Sequence, residues 1–259
     1  MVVGAISPNV ALALWVASIA LIGVVLFHLW ATVYTLRHQR QFQVHATAIV
    51  EPLIRALFGR LRSRQQYTKA EISPYFRVNG YPPESETYTK QAEAQFVEWR
   101  MAIGGLVEKP LMLSLADLRA LPKQEQITKH NCIQGWSAVA EWGGVRMSTI
   151  LDLCRPLPQA RYVVFHAFPQ AEYAPLTYYE VLTLDDVLDP HTILVYEMNW
   201  TPLPIPHGAP CRLRIETKTG YKMVKYLRAI EVVDTFTTIG EGHGGYREDH
   251  QYYDKVAAI

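Results

Sequence analysis

KHNCIQGWSAVAEWGGV, residues 129–145, holds one of only three cysteines in a chain of 259 residues. Cys132 follows His130 and Asn131 and stands just before a Trp-Ser pair, so it reads as a packed thiol, a nucleophile or a metal ligand. A lone cysteine is ordinarily a small buried hydrophobe. Its polar neighbours Lys129, His130, Asn131, Gln134 and Ser137 shift weight towards chemistry, because a basic setting favours the thiolate. In an extended run His130 and Cys132 share a face, which permits a Cys-His nucleophile. One thiolate with no second cysteine or paired histidines nearby is too little for zinc. It suffices for a soft, redox-active metal whose remaining ligands come from a cofactor.

Further along, YEMNWTPLPIPHGAPCRLRIETKTGYKMVKYLRAIEVV (196–233) gathers His207, Arg212, Arg214, Lys218, Lys222 and Lys225 around glycines and prolines. Cations beside glycines that admit close backbone approach suit a buried phosphate. A solvated basic hairpin is the plainer alternative. Cys154 and Cys211 read as core cysteines, and Trp136 and Trp142 as packing.

Formal net charge is +1, which gives no electrostatic case for a nucleic-acid partner. With 49% hydrophobic residues the chain can bury a substantial core. Met1–Leu36 contains no Asp, Glu, Lys or Arg, and Val10–Leu36 exceeds the roughly 20 apolar residues that a bilayer-spanning helix needs. It lacks the basic start and clear cleavage site of a secretory signal. The expectation is one retained transmembrane anchor in a cell (inner) membrane. Arg37, Arg40, Arg55, Arg60, Arg62 and Arg64 follow the span, which favours the cytoplasmic side for the rest of the chain. Gln41–Arg64 reads as a surface-lying helix or a linker.

Beyond residue 65, ISPYFRVNGYPP (72–83) is an ordered loop rich in turn formers. FVEWRMAIGGLVEKPLMLSL reads as strand, Gly-Gly turn, strand, and ADLRALP as a short helix. ITKHNCIQ is extended, VRMSTILDLC a helix and RYVVFHAF a strand. EVLTLDDVLDP is helix-like, HTILVYEMN a strand, and CRLRIE and AIEVVDTF are two more. The class is α+β, mostly antiparallel sheet with short helices, preceded by one transmembrane helix. The domains expected are 1–40 (anchor), 41–69 (juxtamembrane helix or linker) and 70–259 (oxidoreductase domain).

HNCIQGWSAVAEWGGVRMSTIL, YEMNWTPLPIPHGAPCRLRI and TGYKMVKYLRAIEVV together resemble the molybdopterin-binding domain of the sulfite oxidase family. The first stretch is most like the bacterial methionine-sulfoxide-reductase-like branch, in its Cys-x-x-x-Trp-Ser. The second is similar to the sulfite oxidase branch, in Glu-Met-Asn, Pro-Leu-Pro and His-Gly-x-Pro-x-Arg. The likeness runs over residues 70–250, in the family's order.

The resemblance implies a molybdenum–molybdopterin cofactor, with Cys132 as the protein's thiolate ligand to the metal. Asn79 would contact the cofactor. His207 and Arg212 would bind the pterin or its phosphate, with Lys225 and backbone contacts from Met223 and Val224. Tyr178 is the best match for the tyrosine near the metal, with Tyr173 and Tyr179 as alternatives; His130 is assigned structural hydrogen bonding. Sulfite oxidases surround the cysteine with arginines, whereas here none follows Cys132 until Arg146, so sulfite does not carry over as the substrate.

The implied activity is oxygen-atom transfer on a small, sulfur-containing substrate. No CxxCH haem motif or iron–sulfur cysteine run is present. Electrons would therefore be exchanged with a membrane cytochrome or quinone-linked subunit, and His28 in the span is a candidate contact to it. The alternative is an accessory subunit that keeps the fold without turning over.

Overall fold

The computed structural model describes residues 8–37, 67–171 and 177–251. The chain divides into two compact units, Met1–Gly59 and Arg60–Ile259. The juxtamembrane segment Gln41–Arg64 and the alternative Tyr173 lie outside the described residues.

In the first unit, helix α1 (Pro8–Arg37) carries an apolar stretch, Leu14–Tyr34, of 21 residues and mean hydropathy 2.2. Its large apolar side chains from Leu14 to Trp30 are exposed on all sides, as a helix solvated by lipid requires. Length and composition fit a membrane anchor and equally a signal sequence. His28 Nδ1 donates to Val24 O at 2.8 Å, one turn back.

The second unit opens with α2 (Glu86–Glu93), capped by Ser85. Next come β1 (Arg100–Gly105), β2 (Leu111–Ser114) and α3 (Leu115–Ala120). Ser114 starts α3 with a reciprocal cap: its hydroxyl accepts from Asp117 N while Asp117 accepts from Ser114 N. The chain continues through β3 (Lys123–Asn131), β4 (Ser137–Arg146), α4 (Met147–Cys154), β5 (Tyr162–Ala167), β6 (Tyr179–Thr183) and α5 (Leu184–Leu188). It ends with β7 (Ile193–Met198), β8 (Thr201–Pro202), β9 (Arg212–Arg214), β10 (Leu227–Val233) and α6 (Tyr246–Gln251).

Two five-stranded sheets result. One has the order β2-β1-β10-β5-β6, in which only β1 and β10 run parallel. The other is β3-β4-β7, with β8 and β9 sharing the far side of β7. Apolar side chains of both sheets, among them Ile103, Phe165 and Ile230 from one and Val145, Leu194 and Leu213 from the other, meet in a single core cluster. Trp99 is wholly buried there and its indole donates to Leu227 O at 3.1 Å, so its one polar atom is satisfied.

The α+β class and the mostly antiparallel pairing match the reading of the sequence. Three details differ. Residues 180–183 are strand rather than helix, because Thr183 caps α5 by accepting from Asp186 N and the helix starts only at Leu184. Strand β4 shows no polar alternation, since eight consecutive residues between its ends are buried on both faces. The Gly-Gly pair is not the turn itself: Gly104 and Gly105 (φ +82°) still pair in β1, with Glu231 and Val232, and the chain turns only after them.

Candidate active site

Cys132 lies in the turn between β3 and β4. The turn is closed by Cys132 N donating to Trp136 O (2.9 Å) and Gly135 N to Cys132 O (3.0 Å), with Gly135 at φ +84°. The thiol is 8% exposed, and Asn79 Nδ2 donates to Cys132 Sγ at 3.4 Å. Asn79 arrives on the 72–83 loop, which is pinned to β4 by two hydrogen bonds between Ser73 and Val139. Phe76 anchors that loop, its ring 5.4 Å from Trp142 and from His207, 5.5 Å from His130 and 5.9 Å from Trp136.

A cavity of about 550 Å³ opens beside this turn, a size suited to a cofactor or small ligand. Asn79, Tyr178, His207, Arg212, Met223 and Lys225 all line it. Cys132 stands at its edge, flanked by the lining residues Asn79, Ile133 and Gln134. Val224 is placed differently. It is buried in the core, its N–H donates to Lys222 O (3.2 Å) and its carbonyl accepts from Leu213 N (2.8 Å), so neither backbone group is offered to the cavity.

Between the adjacent Tyr178 and Tyr179, at the start of β6, the strand decides. Successive residues of β6 face opposite ways. Tyr178 lines the cavity and donates to Tyr221 O at 2.6 Å, while Tyr179 donates to Ile239 O at 3.1 Å on the other side. Burial, then the charge of Glu180, holds the Tyr178 hydroxyl well above its ordinary pKa, so it stays protonated.

The six cations of 196–233 do not act together. Arg214 is spent on Glu216 (2.6 Å), Lys218 on Asp186 (3.0 Å) and Lys222 on Glu180 (2.8 Å). His207, Arg212 and Lys225 are left facing the cavity with no carboxylate in ion-pair range among the described residues. Arg212 is buried, donates to His207 O (2.9 Å), and its Nε has no hydrogen-bond partner. Burial, with Arg214 adding repulsion, lowers Arg212 to about 9. Burial and the Arg212 charge bring Lys225 to about 7 and His207 to about 4. A buried guanidinium with an orphaned donor costs several kcal/mol unless an anion meets it. The donor set therefore fits a phosphate.

His130 is not a base for Cys132. Its Nδ1 accepts from Arg214 NH1 at 2.8 Å, and burial followed by Arg214 keeps its pKa far below the usual range. Against its other edge stands Gly220, where an added Cβ would collide with the imidazole. Gly220→Ala is expected to lower stability by about 1–3 kcal/mol through this overpacking, read by chemical denaturation.

The sequence reading missed Phe76, Gly220, Tyr246 and Arg247. The last two bring α6 to the cavity wall, with the Arg247 guanidinium 5.9 Å from the Tyr178 ring. Only Gly220 carried a signal, as an isolated glycine in TKTGYKM.

The cradle's charge predicts a measurable anion effect. Sulfate keeps its charge between pH 6 and 9, whereas Lys225 loses its proton as pH rises through about 7. Sulfate should raise the Tm of cofactor-free protein most below that point and progressively less above it. In Lys225→Met the sulfate effect should be smaller and flat up to about pH 8, below the range where Arg212 titrates.

The family described as oxidoreductase molybdopterin binding domain matches residues 87–238. The chain is 33% identical over 186 residues to a protein of Azospira oryzae named as protein-methionine-sulfoxide reductase subunit YedZ1, covering 72% of this chain and 64% of that one. It is 30% identical over 184 residues to the protein-methionine-sulfoxide reductase catalytic subunit MsrP of Xanthomonas axonopodis pv. citri, covering 67% and 57%. The chain thus spans less than two-thirds of these curated relatives, 64% and 57% of their lengths. The crystal structure of the sulfane dehydrogenase SoxCD from Paracoccus pantotrophus aligns with a TM-score of 0.48 at 23% identity, over 54% of this chain and 39% of that one.

Proposed function

The chain belongs to the oxidoreductase molybdopterin binding domain family, and on that footing we propose that it is a membrane-anchored molybdenum enzyme that reduces a sulfoxide, with methionine sulfoxide as the substrate class. The supporting observation is the placement of a nearly buried thiol, held by Asn79, beside a cavity lined by His207, Arg212 and Lys225, none with a carboxylate in ion-pair range among the described residues. The names of the two curated relatives supply the substrate class.

When bound, the molybdenum–molybdopterin group supplies a centre that exchanges an oxygen atom and two electrons with the substrate. Cys132 is its protein ligand, and the Asn79 amide orients the sulfur. Arg212, His207 and Lys225 hold the phosphate end, Met223 lines the pterin wall, and Tyr178 faces the substrate with a protonated hydroxyl. Phe76 and Trp136 pack edge to face and form part of the cavity wall.

Sulfoxide reduction consumes two electrons, so an electron donor is required; a membrane cytochrome or quinone-linked subunit is the partner proposed. Residues 1–40 anchor the chain in the membrane, 41–69 connect, and 70–259 form the catalytic domain. The arginines after α1 favour its cytoplasmic placement.

Detergent-solubilised full-length protein should contain about one molybdenum and one pterin per chain and should oxidise reduced viologen dye when methionine sulfoxide is added. Metal-free protein, or loaded protein inert to sulfoxides, would overturn this reading.

A further inference from the structure

Behind Tyr178 lies a charge cluster that cofactor binding does not use. Glu180 on β6, Lys222 in the turn Gly220–Lys222 and Glu248 on α6 are all buried. Lys222 Nζ donates to Glu180 Oε2 at 2.8 Å and to Gly244 O at 3.1 Å, and it also pairs with Glu248. Two carboxyl groups therefore face one ammonium, and full ionisation of all three would leave a net negative charge in a dry interior. Two carboxyls in one such site relieve that charge by sharing a proton.

The surroundings agree. Burial is the main cause that raises both Glu180 and Glu248, with each other's charge adding to Glu180. Burial alone would lower Lys222, but the two glutamates reverse this and keep it charged. Glu180 Oε1 is buried with no hydrogen-bond partner. The Tyr178 hydroxyl sits close enough to Glu180 to bias its ionisation, with Arg247 on the cavity side of the ring. Tyr179 and Asp249 are the other titrating groups near the pair, and they bond to each other.

We propose that Glu180 and Glu248 share one proton at neutral pH and that this pair is the internal proton donor for sulfoxide reduction, acting through Tyr178. The donor role rests on the substrate class proposed above. In the reaction the S–O bond breaks, the oxygen leaves as water, and the sulfur accepts two electrons that come from the redox partner. One proton moves in relay: the Tyr178 Oη–H bond breaks as an O–H bond forms on the departing oxygen, and the shared carboxyl proton restores the Tyr178 hydroxyl. The second proton, and the one that refills the carboxyl pair, come from bulk water. Glu180 and Glu248 touch no substrate and act only through the tyrosine.

The test uses full-length holoenzyme with reduced viologen as electron donor and methionine sulfoxide as substrate. Infrared spectra of the wild type should show a protonated carboxyl band at pH 7 that shifts in D₂O and disappears as pH rises past about 8. The kcat should fall over the same range. In Glu180→Gln, kcat at pH 7 should drop about 100-fold, the lower end for a lost general acid, with KM and molybdenum content unchanged and the alkaline fall gone. Glu248→Gln should do the same.

Absence of the band in the wild type overturns the proposal, and this arm holds even if neither variant folds. A Glu180→Gln enzyme with the wild-type kcat and pH profile overturns it too. If the band is present but the wild type reduces no sulfoxide, the substrate reading fails and takes the donor role with it, while the shared proton stands.

Discussion

Cys132→Ser is expected to lower turnover by more than about 100-fold, with Asn79→Ala falling in the 10–100-fold range that loss of a ligand's outer partner costs. The order follows from what each residue touches. Cys132 is the sole thiol at the cavity edge, since Cys154 and Cys211 are buried in the core. Burial pushes the Cys211 thiol far up and that of Cys154 up as well, so neither can supply a thiolate in its place. Asn79 makes one long hydrogen bond to the sulfur and bonds to nothing that reacts. Serine keeps the shape but offers a hard, poorly ionised oxygen. Steady-state rates with metal content measured on the same sample decide the matter: a serine variant that keeps molybdenum and full turnover refutes the ligand role. Equal losses at the two positions would show that Asn79 does more than orient.

Arg212→Met is expected to move two measurements in opposite directions. In the loaded protein it removes the buried cation that meets the phosphate, so cofactor content should fall by at least about tenfold, as expected for a charge-assisted bond worth more than about 1.5 kcal/mol. In the cofactor-free protein the same change deletes a buried charge whose Nε has no partner and which the neighbouring Arg214 repels. Methionine fills similar volume without that cost, so the empty domain should gain about 1–4 kcal/mol. In a domain of this size each kcal/mol is a rise of about 2–4 °C in Tm. A variant that destabilises both forms would mean that Arg212 is held by contacts unrelated to an anion. Lys225 makes a poorer probe, because its Nζ already donates to Asn79 O (2.6 Å) and Pro206 O (3.0 Å) and its loss would loosen the 72–83 loop as well.

The sequence shows the site better than it shows the site's walls. Cys132 and the cationic stretch 196–233 were legible by residue type, whereas the choice of His207, Arg212 and Lys225 within it came only with the family resemblance. Residue type alone did not show the partition among the six cations. Lys222 and Lys225 look alike in YKMVKY, yet a single 3₁₀ turn at Gly220–Lys222 sends the first towards Glu180 while the second faces the cavity. The acids that neutralise Arg214, Lys218 and Lys222 come from positions 216, 186, 180 and 248, and only the first is local. Strand β4 escaped because periodicity needs one wet face, and this strand has none over its central eight residues. Phe76 and Arg247 sit in loop-like or glycine-rich stretches, where composition says turn and cannot say what the turn carries.

The segment shared with the family, residues 87–238, contains the thiol and the three free cations, but Phe76, Asn79, Tyr81, Tyr246 and Arg247, which complete the enclosure, fall outside it. Changes in those flanking segments would therefore alter the entrance without touching the thiol-bearing turn. A polypeptide trimmed to the shared segment would lose the Asn79 hydrogen bond to its sulfur and admit water on that side.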